Sequence, residues 1–195
     1  MDLIFATHNK NKLKELRNIL DTDINIKGLN EIGYFTEIEE TGATLKENAI
    51  IKAKQIFNKY NTPVIADDTG LETDALNGEP GVLSARYAGE DKNSTDNINK
   101  LLKELSKHNN RKARFKTVIA FITAESEHTF EGSIEGSIAV KPTGDKGFGY
   151  DPVFIPQNYN ISFAEMDGKE KNKISHRAEA VTKLANFLSK EYKNK

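Results

Sequence analysis

Short apolar runs alternate with amphipathic stretches along the first third of the chain. The apolar run Leu-Ile-Phe-Ala at 3–6 predicts a buried strand. After the polar turn THNKNK, leucines recur at helical spacing and predict a helix with Leu13, Leu16 and Leu20 on one face. Residues 24–29 predict a second strand. This alternation is typical of an α/β protein.

The pattern continues from residue 44. Thr44 and Glu47 have the spacing of a capping box. Apolar residues at helical spacing then predict a helix that ends near residue 60, with Leu45, Ala49, Ala53, Ile56 and Tyr60 on one face. Residues 63–66 predict another buried strand. The turn formers at 67–93 predict a long loop, and loops of that length are usually functional.

The second half follows the same scheme. Ser94 or Thr95 is predicted to cap a helix whose apolar face is Ile98, Leu101, Leu102 and Leu105. Residues 114–124, 129–133 and 134–140 predict three strands with local antiparallel pairing. A loop follows, and a C-terminal helix carries Ala178, Val181, Ala185, Leu188 and Tyr192 on one face. We therefore predict one α/β domain over 1–195 with a mixed sheet, whose strand order the pattern leaves open.

Composition narrows the classes of function. The 195 residues carry a net charge of −1, which argues against nucleic-acid partners. The chain has no cysteine, which excludes disulfides, thiolate catalysis and cysteine zinc sites. Its apolar runs are too short for a signal-peptide core or a membrane span, so we expect no membrane partner and a cytoplasmic location.

The first polar turn is a candidate anion site. A strand, a turn and a helix N-terminus present free N–H groups, Thr7 and Asn9 can donate hydrogen bonds, and Lys10 and Lys12 add charge. The Gly-Lys-Ser/Thr ending of a Walker A loop is absent. The alternative is a surface turn with solvated lysines. A triphosphate would also need cations from other segments, and Lys52 and Lys171 are candidates unless they are ordinary surface lysines.

Adjacent carboxylates end the apolar run at 64–66. Asp67 and Asp68 repel each other unless a positive partner compensates. Together with Glu39 and Glu40 they offer the hard oxygen ligands that Mg²⁺ prefers, and a carboxylate beside the ion could take a proton from water. The alternative is that Asp67 caps a turn and Asp68 faces solvent.

Two further segments carry candidate chemistry. In GFGYD at 147–151 the glycines allow close backbone approach, and Phe148 could stack on a base or belong to the core. Ser175 is a predicted N-cap of the last helix. Arg177 is unfavourable against the dipole of that helix, which indicates a role other than stability. We interpret the histidines at 8, 108 and 128 as ordinary polar residues.

Taken in order, these segments resemble the inosine triphosphate pyrophosphatase family. The resemblance rests on THNKNK (7–12), EETGATLKENAIIKA (39–53), ADDTGLETDALNGEPGVLSARYAG (66–89), GFGYDPVF (147–154) and KNKISHRAEA (171–180). It spans nearly the whole chain. It implies a long mixed sheet flanked by helices, two lobes around a central cleft, and a homodimer. His8 and Thr69 depart from the family, where Gly and Ser are common.

The resemblance also implies roles for individual residues. It implies that the phosphates are bound by Thr7, His8, Asn9, Lys10, Asn11 and Lys12, assisted by Lys52. Glu39 and Asp68 should bind Mg²⁺, and Asp68 should accept a proton from the attacking water. The resemblance places Thr69 against the substrate and Arg86 in the same cleft. It implies that the base is surrounded by Phe148, Gly149, Tyr150, Asp151, Lys171, His176 and Arg177.

The implied reaction is hydrolysis of ITP, dITP and XTP to a nucleoside monophosphate and pyrophosphate. Donors from His176 and Arg177, or from backbone N–H groups near them, suit a 6-keto oxygen. Adenine would leave such donors unpaired, at about 1–3 kcal/mol per group. One alternative is a Maf-like pyrophosphatase of modified pyrimidine nucleotides, although the first loop lacks the Ser-Pro-Arg-Arg pattern of that group. A second alternative is a nucleotide-binding regulator without turnover.

Overall fold

The computed structural model of the chain describes residues 2–20 and 24–192. Helices and strands alternate through the first 73 residues, as the hydrophobic pattern predicts. The strands are β1 (Asp2–Phe5), β2 (Asn25–Gly28), β3 (Val64–Thr73), β4 (Pro80–Gly81), β5 (Lys112–Ile122), β6 (Glu127–Ile138) and β7 (Phe154–Pro156). The helices are α1 (Lys10–Ile19), α2 (Leu45–Tyr60), α3 (Ser94–Leu105), α4 (Gly168–Ile174) and α5 (His176–Tyr192). In the described ranges, none of them is long and apolar enough to cross a bilayer.

The strands form one mixed sheet in the order β2-β1-β3-β5-β6-β7, with β4 beside β3. β1 runs parallel to both β2 and β3, whereas β4 is antiparallel to β3 and β7 to β6. The predicted mixed α/β fold is therefore confirmed. The short connections around residues 29–32, 74–76, 84–86 and 151–153 are 3₁₀ turns.

The chain divides into two compact units. The first comprises residues up to Asp68, Thr117–Gly132 and the chain from Arg177. Its core joins the leucine face of α1 to β1 and α5, and the predicted leucines are all buried. Leu3, Ile4 and Phe5 are buried in succession, as expected for a strand covered on both faces.

The second unit comprises Thr69–Lys116 and Ser133–His176. Its core contains the predicted apolar face of α3 and an aromatic group from β5, β7 and the loop after β7. Phe115 and Phe154 have ring centroids 4.6 Å apart, and Phe154 lies 5.2 Å from Phe163. Such tilted pairs add a small favourable term to the burial of the rings.

Two strand predictions were wrong. The predicted loop at 67–93 begins too early, because β3 continues through both aspartates to Thr73. Both aspartates are buried beside lysines that compensate their charge, so the strand can include them. In the sequence alone, two adjacent charged residues indicate a loop. The two strands predicted at 129–133 and 134–140 are one strand, β6, in which Gly132 and Ser133 are no interruption.

The helix boundaries differ in smaller ways. α3 is capped by Asn93, whose side chain accepts hydrogen bonds from the backbone N–H groups of Thr95 and Asp96. The predicted cap was one or two residues too late. α4 was not predicted, because seven residues with three lysines show little apolar periodicity. Ser175 lies between α4 and α5, and its N–H donates to the Lys171 carbonyl at 2.9 Å.

Candidate active site

The first aspartate of the pair is enclosed by cations of the first unit. Asp67 is 2% exposed, and Lys12 Nζ donates to its Oδ1 at 3.0 Å. Arg177 donates from Nε and Nη2 to Asp67 Oδ2, both at 3.4 Å, and from Nη1 to Glu15. Asp67 is therefore bonded to one residue at the start of α1 and one at the start of α5. These two cations offset the repulsion that adjacent carboxylates would otherwise suffer.

The second aspartate has different partners. Lys52 Nζ donates to Asp68 Oδ1 at 3.4 Å and also to Glu40 Oε1. Asn48 Nδ2 donates to Asp68 Oδ2 at 3.2 Å, and Oδ1 of the same amide accepts a hydrogen bond from the Gly42 N–H at 2.8 Å. Asp68 thus shares one ammonium group with a second carboxylate, so this trio keeps one negative charge in excess.

These surroundings shift the pKa values of the two carboxyl groups in opposite directions. Burial alone would raise the pKa of Asp67, but attraction by Lys12 and Arg177 outweighs it and holds that pKa well below its usual range. Burial raises the pKa of Asp68, and Glu40 raises it further against the pull of Lys52. Paired groups whose pKa values are pushed apart mark acid and base roles. Of the two carboxylates, Asp68 is the stronger base.

The loop before α1 is already organised by its own side chains. Thr7 Oγ1 accepts from the Asn9 N–H at 3.1 Å. Asn9 Oδ1 accepts from the N–H groups of Asn11 at 2.9 Å and Lys12 at 3.2 Å. Two of the amides predicted to face a ligand are therefore bonded to the N-cap. A groove of about 380 Å³ lies beside this loop and is lined by Thr7, His8, Asn9, Lys10, Leu13, Lys14, Arg17, Asn18, Gly28, Asn30 and Glu31.

A second charged pair is buried in the second unit. Lys171 Nζ donates to Asp151 Oδ2 at 2.7 Å, and both side chains are less than a tenth exposed. The Phe148 N–H donates to the same oxygen at 2.8 Å. The Lys171 ammonium lies 5.1 Å from the centroid of the half-buried Phe148 ring and 5.4 Å from that of Phe163. The GFGYD segment thus supplies the Asp151 carboxylate, the Phe148 N–H that donates to it, and the Phe148 ring beside the Lys171 ammonium.

The remaining predicted base contacts are also in the second unit, apart from Arg177. His176 is buried and stacks on Phe115, with ring centroids 4.6 Å apart and planes 16° from parallel. The hydroxyl of Tyr150 donates to the Ser84 carbonyl at 2.9 Å, so this side chain belongs to the core. Thr69 in β3 and Arg86 in a 3₁₀ turn are half-buried. The contacts of Arg177 described above are with carboxylates of the first unit.

Gly147 offers a test of the loop that wraps Asp151. Its φ is +75°, and a Cβ there would lie 2.0 Å from Asp151 Oδ2. We expect Gly147→Ala to displace the Asp151 carboxylate and to destabilise the fold beyond the roughly 1–2 kcal/mol of left-handed strain alone. Gly149→Ala is the matched control, because its φ is +60° with nothing within 4 Å of the added carbon. Equal urea midpoints for both variants would contradict this account of Gly147.

The residues predicted to bind Mg²⁺ lie in different settings. The Glu39 side chain is exposed, whereas its neighbour Glu40 bonds to Lys52 beside Asp68. In residues 2–20 and 24–192, no group of three or more His, Asp or Glu side chains could hold a metal ion. Mg²⁺ usually takes only one or two carboxylates, with substrate phosphates and water as further ligands. The carboxylate oxygens of Asp68 and Glu40, which share the Lys52 ammonium, fit that requirement.

Sequence reasoning missed two residues of this network. Glu15 lies three residues after Lys12, and Asn48 lies four before Lys52. Residues three or four apart share one face of a helix. Helical spacing from the two candidate lysines would therefore have pointed to both side chains.

Comparisons with known proteins show the family of this chain. The model of the Ham1 family matches residues 3–187. A dITP/XTP pyrophosphatase of Porphyromonas gingivalis is 54% identical over 95% of this chain and 96% of its own length. One of Christiangramia forsetii is 50% identical over 97% of this chain and 100% of its own length.

A solved structure supports the same relationship. The structure of the Staphylococcus aureus Ham1 protein is 40% identical, covers 98% of this chain and 100% of its own, and superposes with a TM-score of 0.89. These matches confirm the resemblance found in the motifs. By sequence and by fold, the chain belongs to the Ham1 family.

Proposed function

We propose that this protein hydrolyses the non-canonical purine nucleotides dITP, XTP and ITP to a nucleoside monophosphate and pyrophosphate. The observation that carries the proposal is the buried pair Asp67 and Asp68, of which the first bonds to Lys12 and Arg177 and the second shares Lys52 with Glu40. Relatives at about half identity over nearly the whole chain are dITP/XTP pyrophosphatases. The activity would remove these nucleotides from the cellular pool.

In this mechanism Asp68 accepts a proton from the water that attacks the α-phosphorus. Its raised pKa brings it closer to the operating pH, where a general base is most effective. Lys12 and Lys52 stabilise the charge that develops on the phosphates. Both lysines already face carboxylates, so a phosphate oxygen would compete with Asp67 and Glu40 for them.

We assign recognition of the base to the second charged pair. Phe148 offers an aromatic face, and the Lys171 ammonium lies against it. His176 is the donor proposed for the 6-keto oxygen of hypoxanthine and xanthine. Adenine carries an amino group at that position, so the donor would be left unpaired at a cost of about 1–3 kcal/mol.

We also propose that Mg²⁺ is the cofactor, held by Asp68 with Glu39 or Glu40. A bound divalent cation would neutralise phosphate charge on the substrate and on the leaving pyrophosphate. The support is the donor chemistry of these side chains and the excess negative charge of the trio that Asp68, Glu40 and Lys52 form. The homodimer and the cytoplasmic location implied by the resemblance stay predictions.

Product analysis tests the proposed reaction. Purified protein with MgCl₂ and dITP should release dIMP and pyrophosphate in equal amounts, measured by anion-exchange chromatography. Activity should be lost with EDTA and should fall sharply with dATP. Release of orthophosphate would show that a different bond is cleaved, and absence of turnover would favour a nucleotide-binding regulator.

A further inference from the structure

A buried amide links Asp68 to the turn that precedes α2. Asn48 is 0% exposed, and its side chain forms hydrogen bonds at both ends. Its Oδ1 accepts from the Gly42 N–H at 2.8 Å, and its Nδ2 donates to Asp68 Oδ2 at 3.2 Å. The Gly42 N–H can only donate, so the oxygen of the amide faces Gly42 and the NH₂ group faces the carboxylate. The backbone of Gly42 thereby decides which group Asn48 presents to Asp68.

The turn that carries Gly42 is itself fixed to the first turn of α2. Glu47 Oε2 accepts from the N–H groups of Ala43 at 2.7 Å and Thr44 at 3.2 Å. In return, Thr44 Oγ1 accepts from the Glu47 N–H at 3.1 Å, which completes the capping box. Because these bonds close the turn onto the helix, the Gly42 N–H is held beside the Asn48 side chain.

Position 42 leaves no room for a side chain. A Cβ at Gly42 would lie 2.6 Å from Glu47 Cβ, 2.7 Å from Asn48 Oδ1 and 3.0 Å from the Asn48 backbone nitrogen. The first two distances are shorter than a real Cβ tolerates, so any larger residue would displace the turn and the Asn48 amide. Glycine is therefore required here for the close approach of the backbone to Asn48.

We infer that Asn48, oriented by Gly42, is a positioning residue that fixes the orientation of the Asp68 carboxylate. Lys52 also donates to Asp68, but the same ammonium group bonds to Glu40 and is proposed to bind phosphate. A phosphate oxygen that draws Lys52 away leaves the bond from Asn48 in place, because this buried amide carries no charge. The effect on turnover rests on the proposed function, whereas the orientation of the amide does not.

Hydrogen exchange of the full chain, followed by NMR, tests the orientation of the amide. In Asn48→Ala we expect the Gly42 N–H to exchange about tenfold faster than in the wild type, because its acceptor is gone. The Ala43 N–H, which donates to Glu47, is the internal control and should keep its wild-type rate. Unchanged exchange at Gly42 would overturn the inference. Faster exchange at both amides would show that the whole turn is lost, and would overturn it as well.

Turnover of dITP tests the positioning of Asp68. We expect Gly42→Ala and Asn48→Ala each to lower kcat about five- to tenfold, with KM changed less than about twofold, because fewer molecules hold the carboxylate in its reactive orientation. The double variant should lose little more than either single variant, since both changes disrupt the same bond to Asp68. Asn48→Ala introduces no clash, so it tests the inference even where Gly42→Ala fails to fold. A wild-type kcat in Asn48→Ala would overturn the inference.

Thr44→Ala is the matched control for a merely structural effect. It removes the bond from the Glu47 N–H to Thr44 Oγ1 at the same end of α2 and leaves the side chains of Asn48 and Asp68 in place. It should lower the urea midpoint, with kcat within about twofold of the wild type. Equal losses of kcat in Thr44→Ala and Asn48→Ala, or losses that multiply in the double variant, would contradict the positioning role. If the wild type shows no turnover, the proposed function fails, and hydrogen exchange still decides the orientation of the amide.

Discussion

Replacement of Asp68 by Asn will lower kcat for dITP hydrolysis by about 10²–10⁴-fold, because the amide has no carboxylate to accept a proton from water. The side chain keeps its size and one oxygen for the hydrogen bond from Asn48 or Lys52. Nucleotide binding should therefore remain close to that of the wild type. Rapid-quench turnover measures the first quantity, and calorimetry with a non-hydrolysable analogue measures the second.

Asn48→Ala is a useful companion to this variant. It removes the hydrogen bond from Asn48 to Asp68 Oδ2 and leaves the carboxylate itself in place. We expect a much smaller loss of kcat than in Asp68→Asn. A near-normal rate in Asp68→Asn would show that another group is the base, whatever the result for Asn48.

Replacement of Asp67 by Asn will lower the free energy of unfolding by about 3–5 kcal/mol, because Lys12 and Arg177 lose the charged group that compensates them in a buried site. Asp67 is 2% exposed, so solvent cannot replace it. Urea denaturation of the variant and the wild type at pH 7 measures the difference. An unchanged midpoint would mean that Glu15 and solvent compensate both cations.

The pH dependence has a definite sign. The pKa of Asp67 is lower in the folded chain than its ordinary value of 3.8. Its stabilising contribution is therefore complete above about pH 5 and is lost as the pH falls below about 4. The difference in unfolding free energy between wild type and Asp67→Asn should be constant from about pH 5 to 7 and shrink in acid.

Asp68→Asn provides the matched control for stability. Burial raises the pKa of Asp68, so folding disfavours its ionised form at pH 7. We expect this variant to be as stable as the wild type or slightly more stable. Loss of stability in both variants would contradict the opposite roles assigned to the two neighbours.

The elements that periodicity predicted well are those with a buried apolar face. Local spacing along the chain decides which residues share one face of a helix or can cap it. It therefore predicted the leucines of α1, the capping box at Thr44 and the core face of α3. β3 was truncated in the prediction because two adjacent aspartates are improbable in a buried strand. Their partners come from α1, α2 and α5, and no local pattern shows that they meet.

The candidate site divides in the same way. The sequence by itself determined the family and the chemical types of the site residues, because motifs such as ADDTGLE and GFGYD keep their spacing along the chain. Only the tertiary structure decided which cation serves which carboxylate: Lys12 and Arg177 bond to Asp67, and Lys52 bonds to Asp68. The pairing with Lys12 and Arg177 lowers the pKa of Asp67, whereas burial raises that of Asp68, its chemically identical neighbour. Electrostatic and burial effects depend on distance in space, and the order of residues along the chain does not encode that distance.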